Sequence, residues 1–324
     1  CRIERRRRLL PARVMVYYAM ALALFSEGSY EEVMRNLVEG LDWQSGWQRP
    51  WRVPSQVAIT KARARLGSEP VRALYERVAR PLATPESRGA FCGELRLMAI
   101  DGTTLDLADT PANEAEFGRP GSGRGEGRAA YPQLRAVGLA EGDTHAIRAV
   151  ALGPIKHGEG SLAAELWGSL RPGMLLLADR GFWDFKAFKA ARASGAELLW
   201  RVRRNLILAV DEVLSDGSYR SRIYDSADRK RAEPVEVRVV EYELTDPALG
   251  DSERYRLITT IADPQRASAT ELAAAYPQRW EFETALDELK SHQRGPRLVL
   301  RSRTPSACSR RPTATCSRTT RSAP

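Results

Sequence analysis

The sequence has few of the residues that stabilise small disulfide-rich or zinc-binding folds. Its 324 residues include four cysteines, Cys1, Cys92, Cys308 and Cys316, and three histidines. No two cysteines form a C-x-x-C pair and the histidines do not cluster, so neither a zinc site nor a disulfide framework is expected. Because unpaired cysteines are typical of a reducing compartment, we expect a cytoplasmic protein.

No apolar run is long enough to span a membrane. The stretch RIERRRRLLPARVMVYYAMALALF has the basic-then-apolar order of a signal peptide, but Pro11 and Arg13 interrupt its apolar part. Residues 14–25 are then too short to cross a bilayer, and they predict a buried helix instead. A membrane partner is therefore not expected.

Acidic residues are outnumbered by basic ones, 41 to 50, which gives a formal net charge of +9. Such a balance favours a polyanionic partner, most often nucleic acid. Arginine outnumbers lysine, and Ala and Gly are frequent, as in a GC-rich coding sequence, so part of the excess reflects base composition. The hydrophobic fraction of 43% is enough for a folded core.

Residues 1–92 predict a helical region. Pro11 begins the first helix, Ser29 and Glu32 form a capping box for the second, and Ser55 caps a third that ends at Gly67. A fourth helix is expected over residues 70–80. Such a region is either a DNA-binding unit or an ordinary helical bundle with a basic exterior.

The third helix carries the three cations that favour DNA binding in this region. Lys61, Arg63 and Arg65 lie close together in SQVAITKARARLG and would contact the DNA backbone. A solvated helix face explains the same pattern equally well. The Gly- and Arg-rich stretch GRPGSGRGEGR between Phe117 and Ala129 leaves the same choice, a mobile loop on DNA or a solvated connector.

From residue 93 the pattern changes to a mixed α/β sheet. Apolar strands and helices follow one another over residues 93–204, and alternating residues with turn signals over 205–253 predict a β-rich insertion. Residues 254–303 return to a strand and a long helix. Residues 304–324 contain no large apolar side chain, so we expect a disordered tail.

Two aspartates end apolar strands in this region. Asp101 follows LRLMAI, and Asp179 follows MLLLA. Because the carboxyl ends of neighbouring strands meet at one edge of an α/β sheet, the two side chains are expected to lie close together. An aspartate at one strand end is often only a turn former, but two of them indicate a site.

The helix YPQRWEFETALDELK places four polar residues on one strip. At about 100° per residue, Tyr276, Arg279, Glu283 and Lys290 fall within roughly 60° of one another. The strip is either a solvated face or one wall of an active site that handles phosphate. Three carboxylates, Asp101, Asp179 and Glu283, suffice to hold two Mg²⁺ ions at a scissile phosphate, while Arg279 and Lys290 would contact phosphates.

These motifs resemble the DDE transposases of bacterial insertion sequences, in the insertion-element-4 family. The similarity rests on DGTTLD around Asp101, on LLLADRGF around Asp179, and on Tyr-x2-Arg-x3-Glu-x6-Lys from Tyr276 to Lys290. It implies a ribonuclease-H-like core with a β-rich insertion. It also implies Asp101, Asp179 and Glu283 as catalytic metal ligands with two Mg²⁺ ions, for which Mn²⁺ can substitute.

The resemblance further implies a DNA-cleaving and DNA-joining enzyme that acts on terminal repeats and target DNA as a homodimer in a synaptic complex. In the cytoplasm it would associate with the nucleoid. Tyr276, Arg279 and Lys290 would then line DNA phosphates, and Arg180 next to Asp179 is expected to contact DNA. Trp280 flanks the strip and would either stack on an unpaired base or pack in the core.

Three further carboxylates compete for roles at the site: Asp106, Asp109 and Asp287. Asp287 lies near Glu283 on the helical wheel, as a supporting group or a solvated one. The abrupt change of composition after RGPRLVLRSRTP and the first residue, Cys1 rather than Met, are what a damaged gene would produce. The alternatives to an active transposase are therefore a metal-dependent nuclease without strand transfer and a catalytically inactive DNA-binding remnant.

Overall fold

The computed structural model describes residues 8–25, 28–45, 53–121, 129–245, 252–290, 299–300, 302–305 and 308. Its helices are, in chain order, α1 (Ala12–Leu24), α2 (Tyr30–Ser45), α3 (Gln56–Leu66), α4 (Glu69–Val78), α5 (Pro111–Phe117), α6 (Glu159–Ala164), α7 (Phe185–Arg192), α8 (Ala269–Ala275) and α9 (Arg279–Lys290). Its strands are β1 (Phe91–Cys92), β2 (Leu95–Asp106), β3 (Gln133–Glu141), β4 (Ile147–Pro154), β5 (Met174–Ala178), β6 (Glu197–Arg201), β7 (Glu212–Val213), β8 (Tyr219–Ile223), β9 (Val235–Thr245) and β10 (Ser252–Thr259). The Gly- and Arg-rich loop over 122–128 lies outside the described residues.

The first four helices begin where the sequence predicts them. Pro11 precedes α1, and the amide of Glu32 donates to the Ser29 hydroxyl while the amide of Ser29 donates to the Glu32 carboxylate. The Ser55 hydroxyl accepts from the amide of Ala58 at the start of α3. These caps satisfy amides that have no partner inside the helix. Among the described residues, no helix is long and apolar enough to cross a membrane.

The helical region is attached to the sheet by buried polar contacts. The Tyr75 hydroxyl of α4 donates to the carbonyl of Ile147 at 2.9 Å. The buried carboxylate of Glu141 accepts from the amides of Leu82 and Ala83, each at 2.8 Å, and pairs with Arg96. The Thr144 hydroxyl donates to the same carboxylate at 2.5 Å. Because a buried carboxylate needs such donors, these contacts hold the chain after α4 against β3.

The sheet has the strand order of a ribonuclease-H-like fold. Among the described residues it runs β4-β3-β2-β5-β6-β10-β9-β8-β7, with β1 paired to β2 outside this path. The strands β4, β3 and β2 are antiparallel neighbours, whereas β2, β5 and β6 are parallel. The expected mixed α/β fold with a ribonuclease-H-like core is confirmed.

The strand that carries Asp101 is longer than the sequence indicates. We expected a strand that ends before Asp101, but β2 continues to Asp106 because it pairs with β3 from Met98 to Asp106. The parallel pairing with β5 ends at Ala99. Asp101 therefore lies inside β2, just beyond the end of its parallel partner.

Each face of the sheet packs against a different set of helices. Alternate residues of β5 point to opposite faces, as in any strand. Leu176 packs in one apolar cluster with α6 and α7, and Leu177 packs in another with α8. Phe282 and Leu286 of α9 pack with α4 on the same face as α8.

The expected β-rich insertion extends the sheet. The strands β7, β8 and β9 continue it beyond β10, and β10 pairs with both β6 and β9. Because β10 begins at Ser252, the boundary expected after residue 253 falls inside a strand.

Arg238 holds the insertion to the start of α8. Its guanidinium is fully buried, pairs with Asp216, and donates to the Ser218 hydroxyl and the Ala267 carbonyl, each at 2.7 Å. Asp216 also accepts from the amide of Ala269 at 2.6 Å.

A described residue beyond the boundary expected at residue 303 is buried. Leu300 pairs with Leu107 beside β2, and Cys308 is buried with its thiol within hydrogen-bond distance of Asn113 and of the Ser302 carbonyl. A cysteine packs like a small apolar residue, so Cys308 is held in the core although its neighbours in the sequence are polar. The expectation of disorder for the residues after 308 lies outside the described residues.

We predict that Arg238→Met lowers the free energy of unfolding by about 3–5 kcal/mol, because it leaves the Asp216 carboxylate without its buried cation. Urea unfolding followed by circular dichroism measures the change. The matched control is Arg220→Met. Arg220 is the cross-strand neighbour of Arg238 and makes an exposed ion pair with Glu212 at 3.0 Å, so its loss should cost about 1 kcal/mol or less. Equal effects of the two variants would contradict the assigned role of Arg238.

Candidate active site

Asp101 lies half-buried in the middle of β2, where only its antiparallel partner continues. Its Oδ1 accepts from the amide of Gly102 at 2.7 Å. Burial raises the pKa of Asp101 to about 6, although the Gly102 amide and Arg279 favour the ionised form, and the nearby carboxylates of Glu283 and Glu159 raise it further. A carboxylate with these properties is typical of functional sites.

Asp179 reaches the same level of the sheet from the neighbouring strand. Ala99 of β2 pairs with Leu177 of β5, and Asp101 and Asp179 each lie two residues further on. Residues two apart in a strand point to the same face, so both aspartates project from the face covered by α8 and α9. Asp179 then precedes a single 3₁₀ turn, Arg180–Phe182. The expected meeting of these two residues at one edge is supported by this register.

The helix that carries Glu283 is interrupted. The sequence predicts one helix over residues 267–291, whereas the structure has α8, a 3₁₀ turn at Tyr276–Gln278 and then α9. Pro277 has no amide to donate and its ring clashes with the preceding turn, which ends a regular helix at this point. The helical-wheel angles of Tyr276 and of the α9 residues therefore cannot be compared as positions on one continuous helix.

Arg279 links two of the three carboxylates. Its Nη1 lies 2.6 Å from Glu283 Oε1 and 3.8 Å from Asp101 Oδ2, while the Arg279 side chain is 7% exposed and that of Glu283 48%. Arg279 Nε is buried without a hydrogen-bond partner among the described residues. Arg279 does not present its guanidinium on an open face, where the predicted contact with a DNA phosphate would form. The guanidinium lies beside the carboxylates of Glu283 and Asp101 instead.

Tyr276 does not lie on the exposed strip that the wheel predicts. It is 2% exposed, in an apolar cluster with Leu177 and Leu272, and its hydroxyl donates to the carbonyl of Ala178 at 3.4 Å. Burial, and then the charge of Asp179, raise the pKa of Tyr276. Tyr276 packs under the end of β5 and thereby supports the backbone before Asp179. Contact between Tyr276 and DNA phosphates would require this packing to open.

Trp280 is 44% exposed, so of its two expected roles, packing in the core is not what the structure shows. The side chains of Lys290 and Asp287 lie outside the described residues. The other two competing carboxylates are engaged elsewhere: Asp106 accepts from the Gln133 amide at 2.8 Å, and Asp109 pairs with Arg119.

A basic pocket beside Asp179 was missed by sequence reasoning. It has a volume of about 430 Å³ and is lined by Arg180, Arg201, Val202, Arg203, Arg204, Glu253 and Arg254. Arg201 stacks over the Tyr255 ring at 4.0 Å and pairs with Glu253, and Arg254 pairs with Glu241. The remaining positive charge of the pocket comes from Arg180, Arg203 and Arg204. The run RVRR after the buried strand ELLW is the sequence signal, and it becomes meaningful because β6 lies next to β5.

The cations of α3 lie in the N-terminal region, beside a second pocket. Lys61 and Arg63 line a pocket of about 700 Å³ between α2, α3 and residues 302–304. Arg63 lies over the Tyr30 ring at 4.7 Å, and Arg65 donates to the carbonyl of Leu10. Lys61 is exposed and available to a phosphate, while Arg65 is partly committed to α1.

Comparisons with known proteins match nearly the whole chain. Residues 2–76 match the family described as insertion element 4 transposase N-terminal, and residues 93–308 match the transposase DDE domain. The chain is 30% identical over 305 residues to transposase InsG for insertion sequence element IS4 of Escherichia coli (strain K12), and 23% identical over 195 residues to the putative transposase InsZ of the same organism.

These alignments cover 93% and 60% of this chain, and 66% and 62% of the two relatives, so the chain spans less than two thirds of the length of each. Among solved structures, the cryo-EM structure of a piggyBac transposase synaptic complex with hairpin DNA is similar at a TM-score of 0.46 and 10% identity. That likeness covers 98% of this chain and 68% of the other.

We predict that Asp101→Asn raises the stability of the protein at pH 8. The folded-state pKa of Asp101, about 6, lies above its unfolded value, so ionisation destabilises the fold as the pH rises through this window and the cost persists at higher pH. Removing the ionisation should increase the free energy of unfolding at pH 8 by about 1–3 kcal/mol, and the gain should shrink as the pH falls from 6 to 4.

Urea unfolding at pH 4.5, 6 and 8 measures this difference. Asp109→Asn is the control, because Asp109 is exposed and pairs with Arg119. It should change stability by less than about 1 kcal/mol at each pH. A gain for Asp101→Asn that is the same at pH 4.5 and pH 8 would contradict the prediction.

Proposed function

The chain belongs to the DDE transposases of the insertion element 4 family, and from this premise we propose that it cleaves and joins DNA strands at the ends of an insertion sequence. One observation carries the proposal. Asp101 and Asp179 lie at one level of neighbouring parallel strands, and Arg279 connects Asp101 to Glu283 on α9. This arrangement supports our proposal that the three carboxylates, from distant parts of the chain, act as one site.

The chemistry of these side chains fits divalent cations. A DDE domain works with divalent metal ions, and carboxylate oxygens are the ligands that Mg²⁺ prefers. In the described part of the chain no group of three His, Cys, Asp or Glu side chains is close enough to hold an ion, and Glu283 pairs with Arg279 instead. We propose Asp101, Asp179 and Glu283 as the ligands of two Mg²⁺ ions, or Mn²⁺ in their place, with Glu283 exchanging Arg279 for a cation.

The bound ions would supply activation of water or of a 3′-hydroxyl and stabilise the leaving oxygen. The residues of this chain hold the DNA strand for that step. Arg279, once released by Glu283, presents a guanidinium whose Nε has no partner among the described residues, which suits a phosphate oxygen. Tyr276 supports the backbone before Asp179, and Lys290 would add a phosphate contact further along α9.

The basic pocket beside Asp179 extends the proposed path of the DNA. Its arginines would bind successive phosphates of a strand that passes the carboxylates, and this binding would be strongly salt-dependent. Trp280 would stack on an unpaired base, which its half-exposed indole on α9 permits. The N-terminal region would contact the DNA phosphates of the element end through Lys61, Arg63 and Arg65.

The partners follow from the same proposal. They are the terminal repeats of the element, target DNA and a second copy of the chain that holds the other element end, in a cytoplasm where the protein associates with the nucleoid. Sedimentation with and without terminal-repeat DNA tests the dimer. A strand-transfer assay distinguishes a transposase from a nuclease, and the absence of any cleavage with Mg²⁺ or Mn²⁺ would leave a DNA-binding remnant.

We predict that Asp101→Asn, Asp179→Asn and Glu283→Gln each lower Mg²⁺-dependent cleavage of an element-end duplex by at least about 10³-fold, since each removes one metal-binding charge without a change of volume. DNA affinity should be retained or increased, because an anionic group near phosphate is lost. Asp109→Asn, away from the site, should cleave at the parent rate. Cleavage by Glu283→Gln at that rate would remove Glu283 from the proposed triad.

A further inference from the structure

Gly138 of β3 lies opposite Asp101 and has no space for a side chain. The two residues are cross-strand partners, so a side chain on Gly138 would project from the same face as the Asp101 carboxylate. A Cβ at this position would lie 2.9 Å from Cζ of Phe282, a distance that such atoms do not adopt in folded proteins. The ring of Phe282 therefore occupies the place of the missing side chain.

At the site, α9 packs against the sheet through Phe282. It is 3% exposed and packs with Ala99, Ala140 and Ile147. Ala99 and Ala140 are themselves cross-strand partners, so the strand residues under this part of α9 are small. Small residues permit close approach of a helix, and Gly138 permits the deepest contact.

The depth of this contact determines where Arg279 and Glu283 lie. Phe282 is adjacent to Glu283 in the chain and three residues, about one helical turn, from Arg279. The pair between Arg279 Nη1 and Asp101 Oδ2 is already at 3.8 Å, close to the limit of about 4 Å for an ion pair. A movement of α9 away from the sheet would lengthen this distance and weaken the attraction between Arg279 and Asp101.

We propose that Gly138 is a positioning residue of the active site: by lacking a side chain it sets the spacing between α9 and β2, and thereby the spacing of Glu283 from Asp101. The consequence for metal-dependent cleavage rests on the proposed function, whereas the spacing itself is a property of the fold. Gly138 touches no reacting atom in this proposal and acts through Phe282.

An ordinary packing role would give a different result from a positioning role. Overpacking anywhere in a core costs stability and need not disturb the site. The chain offers a matched control in Gly153 of β4, where a Cβ would lie 2.8 Å from Cδ2 of Leu162 on α6. Gly153→Ala creates an equally close contact against α6, whose carboxylate nearest to the site, Glu159, is not one of the three proposed ligands.

The experiment compares Gly138→Ala, Gly153→Ala and the double variant Gly138→Ala/Phe282→Leu in the full chain. Phe282→Leu removes the ring atom that the new methyl would meet. Hydrogen–deuterium exchange is the first measurement, because it needs no activity. In Gly138→Ala we expect peptides from residues 279–286 to exchange at least about tenfold faster, with recovery in the double variant. Gly153→Ala should accelerate exchange in residues 159–164 and leave 279–286 unchanged.

The second measurement is the Mg²⁺ concentration for half-maximal cleavage of an element-end duplex. It should rise at least about tenfold in Gly138→Ala, return to within about threefold of the parent in the double variant, and stay at the parent value in Gly153→Ala. Unchanged exchange in residues 279–286 of Gly138→Ala would overturn the proposal, as would faster exchange there with an unchanged Mg²⁺ requirement. If the parent does not cleave, the proposed function fails, and the exchange pattern alone decides whether Gly138 sets the position of α9.

Discussion

The parallel pairing of β2 with β5 is the constraint on which the rest of the site depends. Two buried strands from distant parts of the chain are paired over four residues, and each reaches an aspartate two residues after the last pair. A slip by one residue would turn one carboxylate to the opposite face of the sheet. Close packing on both faces opposes such a slip, because it would move Leu175 and Leu177 from the cluster with α8 into the cluster with α6 and α7, which is shaped for other side chains. The same pairing creates the strand end against which Tyr276 and α9 pack.

Electrostatic strain accompanies this arrangement. Asp101 is half-buried beside other carboxylates, and Arg279 is the cation that reduces their repulsion. Arg279 is nearly buried, and its Nε lacks a partner among the described residues, so the pairing is incomplete. Buried charges that are only partly satisfied cost stability, which a protein retains where it must bind an ion or a charged substrate. In contrast, Arg238 is fully buried with its hydrogen bonds directed to Asp216, Ser218 and Ala267, and it has a structural role.

Much of the fold was predictable, because its signals are local. Helix caps such as Ser29 and Ser55, the buried strand MLLLA and the turn residues act within a few positions of the chain, and the strand order agrees with the family resemblance. The predictions that differ from the structure depend on contacts between distant residues. Asp101 was expected at a strand end, but its pairing with Gly138 continues the strand. Cys308 was placed in a disordered tail, but its thiol is buried near Asn113.

By itself the sequence determined the candidate residues: two aspartates after apolar strands, and a glutamate between Arg279 and Lys290 on a later helix. Their types and spacing follow from covalent order, which a linear chain displays directly. Only the tertiary structure decided how they face one another. Pro277 breaks the helix and buries Tyr276, Arg279 turns inward between carboxylates, and Gly138 admits the ring of Phe282 beside Asp101. These outcomes depend on packing between segments far apart in the chain, and the energy of such contacts is defined only once the sheet has brought the segments together.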